Sequence, residues 1–427
     1  MRKFKYLILL IFLNIFAFGI NEDYLGTQAL YKVEDFKYTA PPKGYKPFYI
    51  NHLGRHGARY LSSSKNLDYL LQTLNQAGQI NGLTEEGIKL KEKLEIIKKA
   101  EEGRYGLLTP LGIEMEVGIG ARMYQHFPEV FGKKIKAEAT YVKRTQESME
   151  AFLKGLGQYT SWKNFETSIN GKVDPYLRFF DLNKKYLEYK KKGAWIRKLE
   201  KYDRRENIWK NIAKKFFKES YLKEYSKAYT FISSLYKIYG NQFDAGIPDY
   251  LGEYFSEGDK IYFWENGNAE QFMEKGPGLI GTTLPTNIAF GLLHNFLETS
   301  SSAIEQQNIS ANLRFAHAET IIPFASILGI SWASQHADNI NQIKNIWQDY
   351  KVAPMGANIQ WIFYSHPEKE EILVKMLYNE LEIKFPLESE LAPYYSWDEV
   401  KNYYENFLKG LDINFKESMT TLVEDYK

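Results

Sequence analysis

The sequence predicts an α/β fold in two pieces, residues 20–151 and 308–427, separated by a mainly helical segment over 152–307. Three observations carry this. Apolar or β-branched runs at Phe48–Leu53, Ile135–Val142 and Asn312–Phe315 read as strands, each leading through a short loop toward a helical pattern. From about Phe152 to Glu305 helical spacing dominates. Met355–Tyr364 and Ile372–Tyr378 read as two further strands joined by a polar turn around His366-Pro367.

Length and composition bound the function. A chain of 427 residues accommodates two domains, or one large domain with an insertion. With 44% hydrophobic and 16% aromatic residues it can bury a large core, which excludes a disordered chain. A net charge of +2 gives no global field toward nucleic acid, and no base-reading module is visible. The absence of cysteine excludes disulfides, thiol catalysis, a lipoprotein anchor and Cys-ligated zinc. At the start, Arg2, Lys3 and Lys5 precede an apolar run from Tyr6 to Ile20 broken by Asn14, with small residues at Ala17 and Gly19. This pattern predicts a signal peptide over residues 1–19 and export to a periplasm, cell surface or medium, with no membrane span once it is removed. A retained N-terminal anchor is the competing reading.

Taken in order, Asn21–Lys46 reads as an arm broken at Pro41-Pro42-Lys43-Gly44, leading into the first strand. That strand ends in the loop Asn51–Tyr60, NHLGRHGARY, which puts Arg55, His56 and Arg59 within five positions. Guanidinium forks match phosphate oxygens, and a neutral imidazole can attack phosphorus, so the loop reads as a phosphate site with its own nucleophile. Asn66–Gln79 and Thr84–Lys99 have helical spacing. In Leu108–Gly112, LTPLG, Thr109 is a suitable N-cap and Pro110 suits a first helical turn, a positioning role. The helix it starts is expected to end before Pro128. Ile135–Val142 then runs into Arg144-Thr145-Gln146-Glu147-Ser148.

RHGARY resembles the signature of the histidine phosphatases in the acid phosphatase and phytase branch, although Leu61 stands where many members have proline. Tyr60 and the preceding Asn-His-Leu-Gly are closer to the multiple inositol polyphosphate phosphatases. Two further motifs join the resemblance: RTQES at Arg144–Ser148, and His317-Ala318-Glu319 after the strand Asn312–Phe315, where most of the wider family carries His-Asp. The resemblance implies a phosphoglycerate-mutase-like mixed sheet flanked by helices, with an inserted, mainly helical domain roofing the site. It also implies roles. His56 is the nucleophile, Arg55, Arg59, Arg144 and His317 hold the phosphate, and Glu319 protonates the leaving alcohol before serving as base toward water.

Phosphoryl transfer from an alkyl phosphate makes the same demand for clamped charge and a proton. Arginines beside Glu319 lower its proton affinity, so activity is expected to favour mildly acidic pH. No cofactor and no metal is required, and neither a Cys-x-x-Cys nor a His-Glu-x-x-His exists to hold zinc. Lys184–Lys223 carries fifteen lysines and arginines against five acids, and as a block it suits a small-molecule substrate bearing many phosphates, namely inositol phosphates. Gly276-Pro277-Gly278 marks a loop, Ala289–Ala303 is helical, Pro323 is expected in the first turn of the helix after the His-Ala-Glu motif, and Asn358 reads as core strand. Two rival functions stay open: a broad acid phosphatase of sugar phosphates or nucleotides, and a secreted polyanion-binding protein without turnover.

Overall fold

The computed structural model describes residues 22–33, 37–204 and 207–427; the expected signal segment 1–19 lies outside them. An eight-stranded mixed sheet organises the molecule. Its strands are β1 (Lys46–Arg55), β2 (Lys134–Ala139), β3 (Phe165–Ile169), β4 (Ile309–Ala316), β5 (Asn358–His366), β6 (Lys369–Tyr378), β7 (Leu381–Ile383) and β8 (Tyr394–Ser396). They run in the order β3-β2-β4-β1-β5-β6-β7, with β8 also on β6. Strands β3, β2, β4 and β1 are parallel; β5 turns antiparallel to β1 and forms a hairpin with β6.

Alternation along the strands explains why both faces are covered. Ile50, Leu313, Phe315 and Ile362 point to one face, against Ile119 and Met123 of α3 (Pro110–His126) and Phe152 of α4 (Lys143–Leu156). Tyr49, Leu53, Trp361 and Phe363 point to the other, against Phe296, Ile321 and Phe324. A third core joins α1 (Lys65–Gln79) and α2 (Glu85–Glu101) to the helices Ile208–Phe216 and Ala228–Asp244 through Leu70, Leu90, Phe216 and Phe231. Within residues 152–307, β3 extends the sheet beyond β2, and the helix Phe290–Gln306 packs on the sheet face. Helices therefore flank a mixed sheet, as expected.

Three boundaries differ from expectation. Strand β2 stops at Ala139 instead of Val142, because Thr140 turns its hydroxyl toward Thr145 Oγ1 at 2.8 Å and Val142 becomes the N-cap residue of α4. Strand β4 is longer, Ile309–Ala316, paired on both sides. The following helix begins at Ala318 with His317 as N-cap, so Pro323 lies inside it rather than in its first turn. Thr320 and Ile321 N–H both reach His317 O at 3.0 Å, which starts the helix that early.

Backbone proximity holds the RHG loop in place. Thr109 caps α3 by accepting from Gly112 N at 3.1 Å, and its own N–H and hydroxyl donate to Ala58 O at 3.0 and 3.1 Å. A Cβ on Gly112 would lie 2.1 Å from Ala58 O. Gly112→Ala is therefore expected to destabilise the fold by about 1–3 kcal/mol, read as a lower urea midpoint, and to cost activity by displacing the loop.

Candidate active site

Strands β1, β4 and β2 are parallel neighbours, so their C-terminal ends open at one edge, where open α/β sheets place ligands. From β1 come Arg55 and His56, and from β4 come His317 and, two residues on, Glu319. Thr140 follows β2, and Arg144 sits in the first turn of α4. His56 N–H donates to Ala316 O at 3.1 Å, and Arg55 N–H to Ala357 O at 2.7 Å, tying the loop to both neighbouring strands.

His56 is only 3% exposed. Its Nδ1 lies 3.0 Å from Gly57 O. A carbonyl only accepts, so the ring proton sits on Nδ1 and Nε2 keeps its lone pair. Burial, then Arg144, Arg55 and Arg59, holds the imidazole well below its ordinary value, so it is neutral. The Gly57 amide in turn donates to Ser148 Oγ at 3.1 Å. His52 takes no part: its ring packs between Phe152 and Phe315, and burial pushes it down to about 3.

Around His56 the structure brings together Arg55, Arg59, Arg144 and an arginine absent from the sequence reading, Arg178. One Arg55 nitrogen donates to Thr27 O and Ala353 O, both at 2.5 Å, so the N-terminal arm and the loop before β5 aim this side chain. The Nε atoms of all four guanidiniums are buried and make no hydrogen bond within the protein. Burial and the neighbouring Arg59 push Arg55 down to about 9. Behind Arg59 stand Asp244 and Glu101, whose carboxyls burial pushes up to about 8 and about 7. Crowded cations with buried, unpaired donors form a site for an anion.

His317 completes it. Arg178 Nη1 lies 2.9 Å from its Nε2, with Thr140 Oγ1 at 3.0 Å. A guanidinium can only donate, so Nε2 accepts and the proton sits on Nδ1. That Nδ1 is 3.3 Å from Arg144 Nη2. Two donors so placed do not bond each other, and an anion beside them could accept from both. Arg178 gave no sequence signal because it stands alone in a loop after Asp174, which accepts from Tyr176 N and Leu177 N, and rests against the Tyr141 and Phe180 rings.

Glu319 lies at the rim of the cluster with 34% of its side chain exposed. A second residue missed from sequence, Lys275, places Nζ 3.3 Å from Glu319 Oε1. Burial alone would raise the Glu319 carboxyl, but Lys275, His317 and Arg55 offset it and hold the group well below the usual carboxylate range. Among the described residues no cluster of three His, Cys, Asp or Glu could hold a metal ion.

A cavity of about 600 Å³ adjoins the cluster at Arg59, walled by the arm residues Tyr24–Gln28 and by the helical segment. Here the expected basic roof is corrected. Among the described residues, no lysine or arginine of the 184–223 block lines the cavity. Three of them are paired elsewhere: Lys184 with Asp425, Lys190 with Glu274, and Lys218 with Asn81. Solvation and local pairing place long basic side chains outward when the aromatic residues between them pack inward.

The sequence profile of the histidine phosphatase superfamily (branch 2) matches residues 49–379, and the chain belongs to this family. Within it, the chain is 25% identical to the Bifidobacterium longum multiple inositol polyphosphate phosphatase solved with inositol hexasulfate, covering 90% of this chain and 97% of that one at a TM-score of 0.82. It shares its fold with the phytase from D. castellii, at 16% identity and a TM-score of 0.69 over 91% of this chain and 86% of that one. Human multiple inositol polyphosphate phosphatase 1 is 24% identical over 180 residues, 39% of this chain; the match spans 33% of the human protein.

Proposed function

We propose that the protein is a phosphomonoester hydrolase that removes phosphates from inositol hexakisphosphate and lower inositol phosphates through a phosphohistidine. The observation that carries this reading is a neutral His56 with its proton held on Nδ1, set among guanidiniums whose Nε donors have no protein partner. His56 Nε2 forms a bond to phosphorus as the ester P–O bond breaks. Arg55, Arg59, Arg144 and Arg178, with His317 Nδ1–H, take the charge on the other oxygens, and Glu319 gives a proton to the leaving alkoxide. A water then attacks phosphorus and passes its proton to the Glu319 carboxylate. The N–P bond breaks, its electron pair returns to Nε2, and inorganic phosphate leaves. The cations supply the charge stabilisation, so neither step calls on a metal.

Inositol phosphates are supported by the likeness to the B. longum protein solved with inositol hexasulfate and by a cavity in the size range of small-molecule sites. One observation favours a broader phosphatase. Beyond Arg59, the described lining has Lys237 as its cation against Asp203, Glu270 and Asp349. The deciding experiment is phosphate release at pH 5–7 in EDTA from inositol hexakisphosphate, from lower inositol phosphates and from an aryl phosphate. Release from inositol phosphates that survives EDTA is expected; release from the aryl ester alone would favour the broad phosphatase, and none from any ester would leave the polyanion-binding reading.

The pH dependence has a definite sign. Glu319 must carry a proton to act as acid, and its neighbours hold it ionised, so the rate falls as pH rises; activity at pH 5 is expected to exceed that at pH 8 by more than about tenfold. A profile flat to pH 9 would contradict the role of Glu319. Export rests on the basic and apolar residues of Met1–Gly19. A mature protein beginning near Ile20, found by mass spectrometry of the cell envelope or medium, would support it.

A further inference from the structure

The helical segment ends toward the site in a way the mechanism above does not use. The helix Glu257–Glu274 stops at Lys275, whose N–H and that of Gly276 both reach back to Gln271 O, at 2.9 and 3.1 Å. Gly276-Pro277-Gly278 cannot continue a helix, and Gly278 has φ +73°, so the chain turns sharply there. Lys275 is left as a buried lysine, 8% exposed, with Nζ 2.8 Å from Gln271 Oε1 and 3.3 Å from Glu319 Oε1. A buried ammonium is retained only where it is paired, and Glu319 is the partner that faces the reacting group.

Resting on the hydrolase reading, we propose that Lys275 is a positioning residue for Glu319: the ion pair fixes the carboxyl group at the rim of the arginine cluster and governs its protonation. Through this contact the seating of the helical segment sets the acid–base step on the sheet domain. The groups facing Glu319 are Lys275 from the helical segment, Arg55 and Arg59 from the RHG loop, Arg144 from α4, His317 beside it, and Tyr186 from the helix Lys184–Lys192. Those facing Lys275 besides Glu319 are Glu274 and Glu270. Of the groups facing Glu319, Lys275 is the one that forms an ion pair with it, at 3.3 Å, while the arginines face the anion site.

Two measurements test this. In the pH profile of kcat/KM, Lys275→Met is expected to move the alkaline limb up by at least about one unit, because a carboxyl without its ammonium holds its proton to higher pH. Lys275→Arg, which keeps the charge, is expected to leave the limb within about 0.3 unit of wild type. A limb unmoved in Lys275→Met, with the rate lowered equally at every pH, would overturn the proposal. The second measurement does not depend on turnover. Binding of inorganic phosphate at pH 7 by calorimetry is expected to weaken about tenfold in Lys275→Met, where the Glu319 charge is left to repel the anion, and to return within about threefold of wild type in Lys275→Met/Glu319→Gln. Additive losses in the double variant would overturn the proposal. A wild type that binds phosphate with this non-additive pattern but cleaves no ester would count against the hydrolase reading while leaving the Lys275–Glu319 coupling in place.

Discussion

His56→Ala is expected to lower phosphate release from inositol hexakisphosphate by roughly ten-thousand-fold or more, the scale on which loss of a covalent nucleophile is felt. The side chain is neutral, so its removal takes no charge from the arginine cluster. Inorganic phosphate should therefore bind with affinity within about threefold of wild type. This split between turnover and binding distinguishes a nucleophile from a phosphate ligand. Trapping makes the same point directly: acid-labile, base-stable phosphate should be carried by wild-type protein quenched during turnover and be missing from the variant. A variant that retained a tenth of the wild-type rate would remove His56 from the mechanism. Loss of phosphate binding in parallel with turnover would instead make it a ligand, and the lone pair that Gly57 O leaves free on Nε2 would need another explanation.

Glu319→Gln is expected to have the second-largest effect, and the effect should depend on the leaving group. An alkoxide from an inositol ring is a poor leaving group and needs the proton, so kcat on inositol phosphates should fall by about 10²–10³. A nitrophenolate leaves without help, and turnover of its phosphate should fall by less than about tenfold if formation of the phosphohistidine limits the rate. The glutamine also cannot titrate, so the decline between pH 5 and 8 should disappear. Equal losses on both esters would assign Glu319 to binding. A decline with pH that persisted in the variant would place the titrating group elsewhere, with the substrate phosphate itself the first to examine.

Part of the site is legible from the chain alone, residue by residue. Arg55, His56 and Arg59 lie within five positions, so one loop brings their chemistry together and the motif could be read directly. RTQES and His-Ala-Glu sit at the ends of strands, where a β-branched or apolar run followed by a polar residue marks the change to helix. Lys275 and Arg178 were not legible. Each is an isolated basic residue, Lys275 being the only lysine or arginine between Lys260 and Arg314 and Arg178 the only one between Lys172 and Lys184, and nothing local distinguishes a basic side chain that turns inward from one that stays in water. The basic block of 184–223 misled for the same reason: its charge excess is real, but its direction depends on how the aromatic residues pack.

The sequence by itself determined the class of fold, the family, the strand-end position of the motifs and the residue types suited to a phosphate. Those follow from periodicity and from short-range spacing, which the chain carries locally. Only the tertiary structure decided that His56 has its proton on Nδ1, that Arg178 orients His317, that the N-terminal arm supplies the carbonyl aiming Arg55, and that Lys275 stands against Glu319. These are contacts between groups that lie far apart in the chain, apart from the turn at Gly57. Protonation and orientation arise from burial and from the fields of such neighbours, and these exist only once the sheet and the helical segment have closed around them.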